Sequence, residues 1–248
     1  MPFYSYEAII MNRTIKVLKT GDGWIGVEKP CGISIHNDPG NDVLSMVSAM
    51  VHHGQIDIDG LKASKITQIQ PVHRLDKDAS GVLLLASTPE TLRKLSNYFH
   101  QGRVYKKYLA LVHGNFDASG PNLKTWNYPL SKAAGGRNNP AGRGKKVNAK
   151  TCFTILRQSP HYALLEVTLI TGRKHQIRRH AKISGHPITA DKRYGSKRSI
   201  EFLKTSCGYD RLGLHARRLE IPDMNPPVLI ISEKIPPKME ALFNQDRS

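Results

Sequence analysis

A chain of 248 residues, 39% hydrophobic and 23% charged, can bury a full core and does not have the composition of a disordered protein. No apolar run is long enough to span a bilayer, the N-terminal MPFYSYEAIIMNR lacks the pattern of a signal peptide, and three scattered cysteines (Cys31, Cys152, Cys207) exclude a disulfide framework or a zinc site and point to a cytoplasmic setting. Thirty-seven Lys and Arg against 20 Asp and Glu give a charge of +17, which favours a polyanionic partner, nucleic acid, over a merely basic surface.

Residues 1–14 read as an N-terminal extension. IKVLKT from Ile15, a GDG turn and WIGVEKP ending at Pro30 have the pattern of two strands. Residues 42–53 carry apolar positions at helical spacing, with Asp42 as N-cap. GVLLLAS (81–87) is short and continuously apolar, as a strand buried on both faces requires. Thr88-Pro89-Glu90 then supplies a capping hydroxyl, a first-turn proline and an acid at the positive helix end. Leu92, Leu95 and Phe99 give that helix an inner face, and Gly102 closes it. KYLALVHG (107–114) reads as another strand.

Residues 131–150 hold six Lys or Arg, four glycines and no acid, so they form either a flexible linker or a mobile basic loop along a phosphate backbone. HYALLEVTLI (161–170) alternates with Ala163, Leu165, Val167 and Leu169 on one face. RKHQIRRHAKIS (173–184) reads as a helix ended by Gly185 and Pro187, and LGLHARRLEI (212–221) as a strand. Many strands with interspersed helices predict an α+β fold on a large, mostly antiparallel mixed sheet flanked by helices and loops. The expected layout is one catalytic domain over 15–240, with 131–150 as an internal loop and 241–248 as a C-terminal tail.

Three segments place polar residues beside apolar strands. In PVHRLDKDASGVLLLA (71–86), Asp76 and Asp78 sit with His73, Arg74 and Lys77. A carboxylate among cations stays ionised and can serve as nucleophile or base, although the same acids can simply cap a solvated turn. Asp78, in a Lys-Asp-Ala-Ser-Gly turn, fits the turn reading. In TGRKHQIRRHAK (171–182), helical spacing puts Arg173, Gln176 and Ile177 on one face and leaves Lys174 and Arg178 for a phosphate backbone. Basic groups at a helix start oppose the dipole, which an anion or carboxylate would offset. His175 and His180 are five apart with no Glu after the first, so no metal site is expected. In RVYKKYLALVHG (103–114), Tyr105 and Tyr108 alternate with Lys106 and Lys107, as base stacking beside phosphates requires; a half-buried sheet tyrosine is the plainer alternative.

Taken together and in this order, these segments resemble the RluA family of pseudouridine synthases from about residue 15 to 235. The resemblance rests on VEKPCGISIH (27–36), HRLDKDASGVLLLA (73–86), KKYLALVHG (106–114), TGRKHQIRRH (171–180), GHPITADKRYG (185–195) and LGLHARRLEI (212–221). It implies isomerisation of uridine to pseudouridine in structured RNA, ribosomal or transfer, with no cofactor or metal, no membrane, no obligate protein partner and a monomeric enzyme. By the same resemblance Asp76 is the catalytic aspartate, Arg173 pairs with its carboxylate, and Tyr108 stacks on the target base. Leu214 walls the pocket, Gln176 contacts substrate, and Arg74 holds the position vacated by the flipped nucleotide. Lys77, Lys106, Lys174, Arg178, Arg143, Lys145 and Lys146 are the expected backbone contacts.

Ala79 stands where the family usually has threonine, and Lys174 where a small hydroxyl residue is common; the KHQ-RRH variant resembles a branch acting on transfer RNA. Many relatives carry a small N-terminal RNA-binding domain for which this chain has no room, which leaves target choice to the catalytic domain and the 131–150 loop. Two rival readings are a non-catalytic basic RNA-binding protein and an RNA glycosidase using Asp76 and Asp78 as its carboxylate pair.

Overall fold

The structure, a computed structural model, describes residues 15–56, 69–117 and 122–246; the expected extension at 1–14 lies outside them. The described residues fall into two compact units. One contains residues up to Val104 together with Arg218–Ser232, the other Tyr105–Arg217 together with residues from Glu233 onward. The basic 131–150 segment therefore lies wholly inside the second unit and separates nothing.

In the first unit, β1 (Lys16–Gly21), β2 (Trp24–Lys29) and β4 (Ser80–Ala86) pair antiparallel in that order, and β3 (Gln70–Pro71) also pairs with β4. Every residue of β4 is buried, and its side chains divide between two cores, as the continuous apolar run predicts. Leu83 and Leu85, with Ile25 and Val27, pack under α1 (Val43–His52) through Met46 and Val47. Val82, Leu84 and Ala86, with Trp24, pack against Leu95 of α2 (Pro89–His100). Both helix starts are capped as expected: Asp42 accepts from the Ser45 N–H and Thr88 from the Thr91 N–H. Leu92 and Phe99 are only partly buried at the rim of the second core, and Gly102 (φ 69°) follows the C-cap.

In the second unit, β5 (Tyr105–His113), β10 (Tyr162–Leu169), β9 (Thr151–Gln158) and β6 (Leu123–Trp126) form an antiparallel order. β7 (Leu130–Ser131) and β8 (Lys146–Val147) close a small hairpin around the basic loop. Leu109, Leu111 and Leu164 meet Leu203 of α4 (Lys197–Ser206) and Met239, Leu242 and Phe243 of α5 (Pro237–Gln245). Residues 241–245 therefore end a packed helix where the sequence suggested a tail. The first half of β10, Tyr162–Leu165, is buried on both faces, which the neat alternation of its odd positions conceals.

The helix expected from 173 begins three residues later, as α3 (Gln176–Ile183). His175 at its N-cap is left-handed (φ 53°), and Arg173 and Lys174 precede the helical turns. β11 (Leu214–Ile221) runs from the second unit into the first, where its second half pairs with β12 (Val228–Ile231). The α+β class with antiparallel sheets is as the sequence predicts. No helix among the described residues is long and apolar enough to cross a membrane.

Candidate active site

The candidate residues divide between the units, Arg74, Asp76 and Lys77 in the first and the rest in the second. In the first unit the chain leaves β3, passes His73 and makes a tight turn at 76–79 before β4. His73 is fixed from two sides. Its Nε2 accepts the Leu84 N–H at 3.0 Å, and its ring stacks on Phe99 with centroids 5.1 Å apart. Accepting there leaves that nitrogen without a proton.

The main chain of the turn is held residue by residue. Asp76 O accepts the Ala79 N–H, Lys77 O accepts the Gly32 N–H, and Asp78 O accepts the Cys31 thiol at 2.8 Å. Beneath it lies Lys29, fully buried at the end of β2, whose ammonium donates to Pro30 O, Ile33 O and Lys77 O at 2.7–2.8 Å. A buried ammonium is tolerated when carbonyls take its three hydrogens, and here they tie the 30–33 turn to the 76–78 turn. Asp76 is thus a half-buried carboxylate on a fastened backbone, flanked by the exposed Arg74 and Lys77. Asp78 contributes its carbonyl to the turn, in keeping with the turn reading. Sequence reasoning did not single out Lys29, which in WIGVEK is one more charge directly after Glu28.

In the second unit, Tyr108 is 8% exposed on β5, opposite Val167. Lys107 is neutralised by Glu166 at 2.7 Å, and Lys106 is half-buried, its pKa lowered by that burial. Leu214 is buried at the start of β11, while Lys174, Arg143, Lys145 and Lys146 are exposed. Arg173 is exposed too, its Nε 3.3 Å from Asn148 O, and its backbone N–H donates to Gln176 Oε1.

Two expectations are corrected here. Gln176, expected to touch substrate, is buried with its amide fully engaged: Oε1 accepts from Thr171 Oγ1 and Arg173 N, and Nε2 donates to Lys150 O and Thr151 Oγ1. It braces the turn that carries Arg173. Arg178, expected on the phosphate backbone, is buried in a two-pronged ion pair with Asp191, both contacts at 2.8 Å, with its guanidinium over the Tyr194 ring. Asp191 is the carboxylate that offsets the basic start of α3. Its Oδ1 also accepts the Arg193 and Tyr194 N–H groups, and the Tyr194 hydroxyl meets His175 Nδ1 at 3.0 Å.

The next residue of α3, Arg179, was not singled out and is wholly buried. It donates to Ser131 O, Pro140 O and Ala141 O of the basic loop, to Ser131 Oγ, and to Lys174 O. Arg193 donates to Ala134 O and Gly135 O, and Arg137 of the loop to Lys192 O and Gly195 O. The 131–143 stretch is therefore neither a linker nor a loose tether but a loop stapled to the segment carrying Arg173. His180 supports its root: Nε2 donates to Tyr128 O at 3.0 Å and Nδ1 accepts from Thr151 Oγ1 at 2.9 Å.

A family model described as RNA pseudouridylate synthase matches residues 23–182. A ribosomal large subunit pseudouridine synthase C from Vibrio cholerae is 34% identical over 197 residues, 78% of this chain and 57% of that protein. A tRNA pseudouridine synthase C from Haemophilus ducreyi is 30% identical over 242 residues, covering 93% of this chain and 95% of that one. The chain thus spans less than two thirds of the length of the first of these relatives. Among solved structures, the human RNA pseudouridylate synthase domain containing 4 protein superposes with a TM-score of 0.72 over 98% of this chain and 95% of its own; at 23% identity this likeness concerns the fold.

Proposed function

The chain belongs to the RNA pseudouridylate synthase family, and from that premise we propose that it converts a uridine of structured RNA, ribosomal or transfer, to pseudouridine. The N1–C1′ bond breaks, the base turns, and a C5–C1′ bond forms as the hydrogen of C5 is exchanged for one on N1; the RNA keeps its composition. The target nucleotide leaves its stack at a cost of roughly a few kcal/mol, which phosphate contacts to a chain of net charge +17 offset.

In this reading Asp76 is the catalytic residue, as nucleophile or base at the ribose. Arg173 is the cation assigned to its carboxylate, Tyr108 stacks on the base, Leu214 supplies an apolar wall, and Arg74 holds the vacated position in the RNA. The observation that carries the reading is the Asp76 turn: each carbonyl from Asp76 to Asp78 accepts a hydrogen bond, so the carboxylate stands on a backbone with little freedom left.

Cellular RNA incubated with the wild type should gain pseudouridine, read by carbodiimide labelling, and Asp76→Asn should yield none. Undiminished formation by that variant would overturn the assignment. Release of free uracil would identify a glycosidase, and binding without either product a non-catalytic RNA-binding protein.

A further inference from the structure

The stapled loop of the second unit lines an open cleft of about 520 Å³, within the size range of small-molecule sites. Its walls are mostly Ala133, Ala134 and glycine backbone, and Asn138, Asn139 and Arg143 stand at it with exposed side chains. Among the described residues, none of those three side chains has a hydrogen-bond or ion-pair partner, in contrast to Arg137, Arg179 and Arg193 beside them. The two kinds of arginine do different work. Three are consumed in holding the main chain, and one is left facing out.

The shape depends on close approach. A Cβ on Gly135 would lie 1.8 Å from Asn139 O, and Gly142 (φ 77°) would drive one to 2.0 Å from Ser131 Oγ. A solvated turn needs neither this packing nor three arginines. The chain on either side of the loop is also poor in acids. Between Asp117 and Asp191 the only acid is Glu166, and it is engaged by Lys107 and Arg217.

We propose that the 133–143 loop holds one unpaired nucleotide of the RNA substrate, its phosphate on Arg143 and its base edge on the amides of Asn138 and Asn139. The proposal rests on the RNA-modifying function above and assigns to this loop the reading of sequence near the target. Unpaired bases are recognised by hydrogen bonds to their edges, and an asparagine amide, donor on one side and acceptor on the other, matches adenine in two bonds. A loop already fastened loses little freedom when it binds. Because Arg179 grips the loop and Lys174 O together, a nucleotide seated there is held in fixed relation to the turn that carries Arg173.

The test is a titration of the intact protein with fluorescent decamers of oligoadenylate and oligouridylate, which needs no turnover. The wild type should bind oligoadenylate about tenfold more tightly, the order expected of one two-bond amide contact. Asn138→Ala/Asn139→Ala should bind the two alike. Arg143→Gln should weaken both equally and flatten the salt dependence by about 0.7 in log–log slope. Gly136→Leu, whose Cβ meets nothing within 4 Å, should fill the cleft and abolish the preference as well. Equal binding of both decamers by the wild type, or a preference that survives the double substitution, overturns the subsite. An intact adenine preference in a protein that forms no pseudouridine would instead overturn the catalytic reading and leave the subsite standing.

Discussion

The turn at Asp76 and the loop at 131–143 are both irregular, and each has among its fasteners one fully buried cation that donates mainly to main-chain oxygens. They differ in the fastener. Lys29 reaches three carbonyls clustered around one point, whereas Arg179 spreads across the Ser131, Pro140, Ala141 and Lys174 oxygens with a planar fork. A compact ammonium suits a tight turn presenting one carboxylate, and a guanidinium suits a wide loop presenting a surface. In both, the backbone is fixed from below through its main-chain oxygens.

Breaking the wider anchor should have the largest effect. Arg179→Met leaves several carbonyls without donors and should cost about 4 kcal/mol of unfolding free energy, read by urea titration. Arg179→Lys should recover only part of it, since an ammonium cannot span the same acceptors. Acid should act on the same unit. Burial, with Arg211 and Arg217 adding to it, pulls the His215 pKa from 6.5 down to about 4. The unfolded chain then binds this proton more readily than the folded one. Its contribution is complete above pH 6.5 and is lost as pH falls toward 4, a decline of about 3 kcal/mol. His113 and His180 are shifted the same way by burial and add to the slope; His215→Gln should flatten it.

Lys29→Met should cost less, about 2 kcal/mol, because its three acceptors lie near the surface turns they belong to and water can reach some of them. It should nonetheless slow pseudouridine formation more than its stability loss explains, since the Asp76 turn loses its lower support. A rate that simply tracks the folded fraction would put the two anchors on the same footing. Smallest of all, Lys145→Gln should leave stability unchanged and reduce RNA affinity only a few-fold at moderate salt.

The regular parts of the fold were legible because their signals are local. The continuous run of β4, the alternation of β10 and the Thr88-Pro89-Glu90 start each identify an element within a few residues. The start of α3 was not, since it is fixed by a left-handed His175 tied to Tyr194 and by the four-bond brace of Gln176, both reaching across the fold. Arg178 was misplaced for a related reason. In sequence it is one more charge in a basic run, and only Asp191, thirteen residues on, makes it an interior residue. The candidate residues were found through resemblance; the residues that hold them, Lys29 and Arg179, show no pattern that periodicity or composition detects.

The grip of Arg179 on main-chain oxygens bears on how freely the loop sequence can vary. Every amino acid carries the same carbonyl, so positions between 132 and 139 other than Gly135 and Arg137 can be exchanged without removing an acceptor of the anchor. Under the proposed function, such exchanges would change what the loop offers to RNA while the bonds beneath it stay the same.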